Sequence, residues 1–289
     1  MLAACILVFA QFATGVAYAA DGAFEQGLLW RIEKAGVTPS HLFGTVHLAD
    51  KRVTTLPDEV RIRFNAAKSF TMEVATDQTN IAALAARMFY TDGRDLERVA
   101  GAELYGRVLP LTAGLGVPRE MVRLFRPWAL VLLLQMPQQK MEDVLDFTLQ
   151  RMAVEQDKLL QYLESVDEQV AAFEGMSEAE QLALLRHAVE THHEIQSETE
   201  KLLQAYLRRD LAEMWRIGEA GMTGPDLKAL KQVFDRRLLF DRNTRMAGRM
   251  RPQLAAGNAF IAVGALHLYG EKGLLRLLVR EGYVVTRVY

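Results

Sequence analysis

Hydrophobic positions in this chain form short β-prone runs near both ends and follow a period close to 3.6 between them. Residues 28–33 (LLWRIE) and 40–46 (SHLFGTV) are β-prone runs around a turn at 36–39. Helical spacing covers 58–68, and 69–74 (SFTMEV) reads as a buried strand. Apolar residues then recur at helical spacing through 96–109, 119–135, 142–153, 160–173, 178–209 and 227–251. Pro127 either breaks the second of these helices or opens a new first turn. Another β-run follows at 258–264 (NAFIAVG), then an amphipathic helix at 270–281 and a last strand at 284–289. The pattern predicts an α/β (α+β) fold. Its mixed sheet is built from N- and C-terminal segments, with a large central helical insertion at roughly 96–250.

Two of the β-runs end alike. Phe43-Gly44-Thr45-Val46-His47-Leu48 and Val263-Gly264-Ala265-Leu266-His267-Leu268 each place a histidine three residues after a glycine. The chain has six histidines in all, so the repetition singles out these two. Glycine permits a bend or a close approach that a side chain would block. The histidine can then project from a strand end into a cleft, where ligands of open α/β sheets usually bind. Imidazole serves there as metal ligand or acid–base group. The plain alternative is a pair of packed, hydrogen-bonded core histidines. Glu73 ends the third predicted strand inside Phe70-Thr71-Met72-Glu73-Val74. A carboxylate in an apolar run is costly unless paired or metal-bound. It therefore reads as a ligand or as the general base for a metal-bound water.

Composition narrows the possibilities. The chain has 289 residues, is half apolar and carries a net charge of −2. A sizeable core is available, and nothing draws the chain to nucleic acid. Residues 1–19 read as a signal peptide: an apolar run from Leu2 to Ala10, then Ala17-Tyr18-Ala19 as an A-x-A cleavage site. No basic residue precedes that run, so a start upstream of Met1 is part of the expectation. Cleavage would remove Cys5, the only cysteine, and leave a domain over 20–289 without thiol chemistry. The expected location is periplasmic or secreted, with no stable membrane span after cleavage. No G-x-S-x-G, Walker A or G-x-G-x-x-G motif occurs, which argues against serine hydrolase, P-loop and Rossmann chemistry.

The chain resembles the TraB/GumN family, related to the Tiki metalloproteases and more remotely to erythromycin esterases and ChaN-type haem-binding proteins. The resemblance rests on Leu29-Trp30-Arg31-Ile32, the two G-x-x-H segments, Leu56-Pro57, Met72-Glu73-Val74 and Arg126-Pro127-Trp128. Leu163-Glu164, Gln169, Arg242-Asn243 with Met246, Gly273-Leu274-Leu275 and Glu281-Gly282-Tyr283-Val284-Val285 extend it. Departures are Val144 ahead of Leu145-Asp146, where the family often has glycine, Ser165 in place of threonine, and a bulky Leu266 in the second motif. The resemblance implies a divalent metal at His47, Glu73 and His267. Two imidazoles and a carboxylate suit Zn²⁺, Mn²⁺ or Co²⁺, and the Tiki likeness favours Mn²⁺ or Co²⁺. The implied activity is hydrolysis of a peptide or small amide or ester. A non-catalytic protein that sequesters a peptide, pheromone or haem is the alternative.

Arg242 and Asn243 lie in a predicted helix and complete the expected catalytic set with Glu73. Arg242 either stabilises an oxyanion or binds a substrate carboxylate, or forms a surface pair with Asp241 or Asp235. Arg126 and Glu164 read as structural. Glu190-x-x-His193 has the spacing of a di-iron ligand pair but no second copy, and His193-Glu194 lacks the second histidine of H-E-x-x-H. That stretch, with His187 and His192, reads as a solvated helix face, and His41 as a surface or edge residue.

Overall fold

A computed structural model describes residues 22, 24–75, 77–137, 139–140, 143–221 and 225–289. The expected signal peptide, 1–19, lies outside the described residues. The chain opens with β1 (Leu29–Glu33) and β2 (Ser40–Thr45), α1 (Lys51–Thr54), α2 (Asp58–Ala66) and β3 (Ser69–Met72). Helices α3 (Gln78–Arg87), α4 (Leu96–Gly114), α5 (Arg119–Leu124), α6 (Pro127–Gln135) and α7 (Leu145–Glu155) follow. Next come β4 (Leu159–Tyr162), α8 (Val166–Glu174), α9 (Glu178–Thr191), α10 (Ile195–Leu207), α11 (Leu211–Ala220) and α12 (Pro225–Asp235). The chain closes with α13 (Asp241–Ala256), β5 (Ala259–Gly264), α14 (Leu274–Arg280) and β6 (Val284–Arg287).

The strands form one mixed sheet in the order β4-β3-β5-β2-β1-β6. The four from β4 to β2 are parallel, while β1 is antiparallel to both β2 and β6. A strand buried on both faces needs a near-continuous apolar run. Central β5 fits, with Ala259 to Val263 all buried, whereas the edge strand β6 is largely exposed. Phe64 packs edge-on against Phe70 and Phe260, with centroids 5.5 and 5.2 Å away, and ties α2 to β3 and β5.

The α/β class and the helical insertion are as the pattern predicts, with local corrections. The expected helix at 160–173 begins as a strand: Ser69 to Met72 of β3 pair in register with Leu159 to Tyr162. Pairing with a strand 90 residues away overrides local helical spacing there. The sheet therefore takes its β4 edge from within the insertion. Pro127 occupies the first turn of a new helix, so 119–135 is two helices. A 3₁₀ turn at His192–Glu194 divides 178–209. A π-turn at Arg236–Phe240 joins α12 to α13. The insertion also packs in two places. Leu130, Leu134, Trp128, Leu185 and Leu238 belong to a second core, while Leu145, Leu149, Leu203, Leu211 and Met246 pack on the sheet. Helices α7, α10, α11 and α13 are thereby carried to the sheet end where the two G-x-x-H segments lie.

Candidate functional site

The two histidine motifs extend neighbouring parallel strands. Thr45 of β2 is in register with Gly264 of β5, and β3 flanks β5 on its other side. His47, His267 and Glu73 thus follow the carboxyl ends of three adjacent parallel strands, the usual ligand position in such sheets. Gly44 allows close packing: an added Cβ would lie 2.8 Å from a Leu268 methyl and 3.0 Å from the Ala265 Cα. Gly264 is different. A Cβ there would meet nothing nearer than 3.5 Å, and its φ of −53° suits any residue.

Each imidazole is held at Nδ1 by a helix of the insertion. The Nδ1–H of His47 donates to Asp146 Oδ2 at 2.8 Å, and the Thr45 hydroxyl donates to Asp146 Oδ1 at 2.7 Å. Asp146 stands in the first turn of α7. His267 Nδ1 lies 2.6 Å from Asn243 Oδ1. The Asn243 amide donates to the Lys272 carbonyl at 2.9 Å, so its oxygen must face the histidine. His267 is therefore the donor at Nδ1. With Nδ1–H engaged, the neutral form of each ring carries its lone pair at Nε2, the arrangement found behind metal-bound histidines.

The two rings differ in environment. His47 is 66% exposed, and the Asp146 carboxylate raises its pKa to about 9, with water screening part of that attraction. His267 is buried, and desolvation lowers its pKa to about 4, with Glu73 opposing and Arg242 reinforcing. His267 is thus the neutral ligand-type imidazole.

Glu73 lies between. Its Oε1 accepts the Gly264 N–H at 2.7 Å and sits 3.7 Å from His267 Nε2, while its Oε2 accepts from Arg242 Nη2 at 2.5 Å. Burial pushes this carboxyl up, but His267, Arg242, His47 and the Gly264 amide outweigh it and hold the pKa at about 2. Arg242 is not a surface residue paired with Asp241 or Asp235. It bridges Glu73 to Glu164, whose Oε2 accepts from Nε at 2.9 Å and Nη2 at 2.7 Å, and its Nη1 donates to the Leu238 carbonyl in the π-turn. Glu164 also accepts from Arg245 at 2.9 Å. Arg242, Arg245 and Arg249 project from one face of α13 onto Glu73, Glu164 and Glu168.

Among the described residues, no group of three His, Cys, Asp or Glu side chains is spaced to hold a metal ion. The donor chemistry nevertheless suits one: two imidazoles tied at Nδ1 and an ionised carboxylate with spare lone pairs. The other histidines are engaged elsewhere. His187 contacts the Gly221 carbonyl, His192 the Leu134 carbonyl and exposed His193 the Glu190 carbonyl. His41 is not at an edge. It lies half-buried in β2, opposite Arg31 on one side and Phe260 on the other.

Asp146 was not among the sequence candidates. Its signals are a carboxylate in a helix first turn, which ordinarily reads as dipole compensation, and its place in the family pattern at Leu145-Asp146. Among the described residues, no helix is long and apolar enough to cross a membrane.

The chain is 24% identical over 333 residues to a Metalloprotease TIKI homolog of Amphimedon queenslandica, covering 96% of this chain and 64% of that protein. It is 24% identical to Metalloprotease TIKI1 of Danio rerio, covering 89% and 62%, and 23% identical to Metalloprotease TIKI2 of the same fish, covering 89% and 60%. It thus spans slightly under two-thirds of the length of these curated relatives. No solved structure matches the chain significantly. Residues 28–287, which include every site residue above, match the TraB/PrgY/gumN family, and the chain belongs to that family.

Proposed function

We propose that this protein is a divalent-metal-dependent hydrolase of peptides or related amides and esters, with His47, His267 and Glu73 holding the ion. The observation that carries the proposal is the pair of Nδ1–H contacts to Asp146 and Asn243, which make Nε2 the metal-binding nitrogen of both rings once His47 gives up its second proton for the ion. The metalloprotease names of the relatives support the reaction class. Mn²⁺ or Co²⁺ is the favoured ion, with Zn²⁺ also suited to the donor set.

A bound ion would supply Lewis acidity toward a carbonyl and acidify an attacking water. The rest falls to the chain. Asp146 and Asn243 fix both rings and set their tautomers. Glu73 stays ionised because Arg242 and the Gly264 amide hold it so. Hydrogen-bonded by Arg242 and the Gly264 amide and 3.7 Å from His267 Nε2, Glu73 serves first as ligand and charge partner. Arg242, held by two carboxylates, positions Glu73 and is not free to stabilise an oxyanion. Asn243 orients His267 without contacting the reacting atoms. Export to the periplasm or the medium belongs to the same proposal, on the strength of Ala17-Tyr18-Ala19.

The test is cleavage of a mixed peptide library followed by mass spectrometry, before and after chelation and with Mn²⁺, Co²⁺ or Zn²⁺ restored. Chelator-reversible cleavage is expected. Stoichiometric peptide or haem binding without turnover under any metal would replace the hydrolase with a sequestering protein.

A further inference from the structure

A groove of about 280 Å³ opens directly beside His47, between the segment that follows it and helix α10. Its floor is Leu203 and Leu48, its sides include Ala49 and Pro137, and Thr199 stands on the α10 wall. Both walls are hydrogen-bonded to the strand end that carries His47. On one side, the Gln139 amide donates to the His47 carbonyl at 2.7 Å and accepts the Ala49 N–H at 2.9 Å. On the other, α10 is pinned by Tyr206, whose buried hydroxyl donates to the Gly44 carbonyl at 2.9 Å. These bonds bridge 90 or more residues of sequence. The groove is therefore built together with the first histidine motif, not left over as a surface crease.

We propose that this groove is a specificity subsite that takes one uncharged apolar side chain of an extended peptide, next to the bond being cut. The proposal rests on the hydrolase reading above. Its volume falls just under the range that holds a whole drug-sized ligand, so it suits one side chain rather than a folded partner. Apolar Leu48, Leu203 and Pro137 would bury a leucine- or phenylalanine-sized group. At the mouth, Asp50 and Glu200 share the one guanidinium of Arg52, at 2.7 and 3.2 Å. Two carboxylates against one cation leave the rim net negative, which disfavours an acidic side chain there. The Gln139 amide is spent on the main chain, so recognition depends on size and polarity.

The experiment is a peptide series with Gly, Leu, Phe or Glu at each position around the cleaved bond. It is read both as kcat/KM and as Kd of fluorescent peptides on the chelated, full-length protein. At one position Leu and Phe should exceed Gly by roughly 10–100-fold, and Glu should fall below Gly. Thr199→Trp fills the groove from a half-exposed helix position and should cut that preference to less than about threefold, leaving the Gly peptide nearly unchanged. Metal content and melting temperature should be unaffected. Gln196→Trp, at an exposed position of the same wall, serves should the first variant fail to fold. A preference unmoved by both variants, or a loss equal for all peptides, overturns the subsite while leaving hydrolysis intact. Peptides bound with the expected profile but never cut overturn hydrolysis and support the groove. No binding of any peptide overturns the groove.

Discussion

Replacing Glu164 by alanine should destabilise the protein far more than removing any surface carboxylate. The Glu164 side chain is 0% exposed and accepts three hydrogen bonds of 2.7–2.9 Å from Arg242 and Arg245. Glu73, Glu164 and Glu168 face Arg242, Arg245 and Arg249, so the deletion leaves three guanidiniums against two carboxylates and one positive charge unmatched. Breaking a buried pair from one side costs about 3–5 kcal/mol. Two features place this case at the lower end: Arg242 keeps Glu73 and the Leu238 carbonyl, and Arg245 is 32% exposed and can rehydrate. A loss of about 3 kcal/mol corresponds to a fall in Tm of roughly 5 °C for a chain of this size. Glu164→Gln keeps the shape and one acceptor but turns an amide N–H toward a guanidinium, so it should fall between. Glu271 is the matched control. It also faces two arginines, Arg276 and Arg280, but is 67% exposed, so Glu271→Ala should cost at most about 1 kcal/mol. The assay is calorimetric melting of chelated protein at pH 7, all variants side by side. A Glu164→Ala melt within about 1 °C of the parent, or equal losses at Glu164 and Glu271, would show that the buried ion-pair chain does not stabilise the fold.

The two motif glycines should respond differently. Gly44→Ala forces a Cβ to 2.8 Å from Leu268 and 3.0 Å from the Ala265 backbone, an overpacking worth about 1–3 kcal/mol, whereas Gly264→Ala finds ordinary contact distances. Thermal melts that fall equally would show the spacing argument to be wrong. His41 should make the fold acid-sensitive. Burial first, then Arg63 and Arg31, lower its pKa from 6.5 to about 4, so the folded state binds fewer protons than the unfolded chain between those values. Its contribution is complete above pH 6.5 and is lost as pH falls toward 4. Urea titrations of His41→Gln across that window should show a shallower acid loss than the parent. An identical slope would exclude His41 as the cause.

Much of the α/β plan was legible because the central strands are apolar runs too short for helices and the flanking helices keep their period. The Gly-x-x-His pair was legible for the same reason, since each copy closes such a run. Strand β4 was not, because Leu-Leu-Gln-Tyr has helical apolar spacing into Val166 and becomes a strand only by pairing with β3. The partners of the site residues were hidden for a related reason. Asp146 meets His47 across 99 residues, Arg242 meets Glu73 across 169, and no local pattern encodes either contact. Glu164 reads as structural in the sequence, and its total burial accords with that. What the sequence could not convey is that the carboxylate is joined through Arg242 to Glu73, so one ion-pair chain links fold stability to the site. The matching glycines suggested one shared reason for both, while the packing gives a steric reason for Gly44 alone.

The shared metal site is tested most directly by Co²⁺ titration of the chelated parent, His47→Ala, His267→Ala and the double variant, following the visible d–d spectrum and the bound stoichiometry. One ion per chain is expected in the parent, with an ion-dependent spectrum. Either single variant should lose most of that binding while its melt in the absence of metal stays intact. The double variant should lose little more than either single one, because both rings belong to one site. Unchanged Co²⁺ affinity and spectrum in either folded single variant would contradict a site shared by His47 and His267.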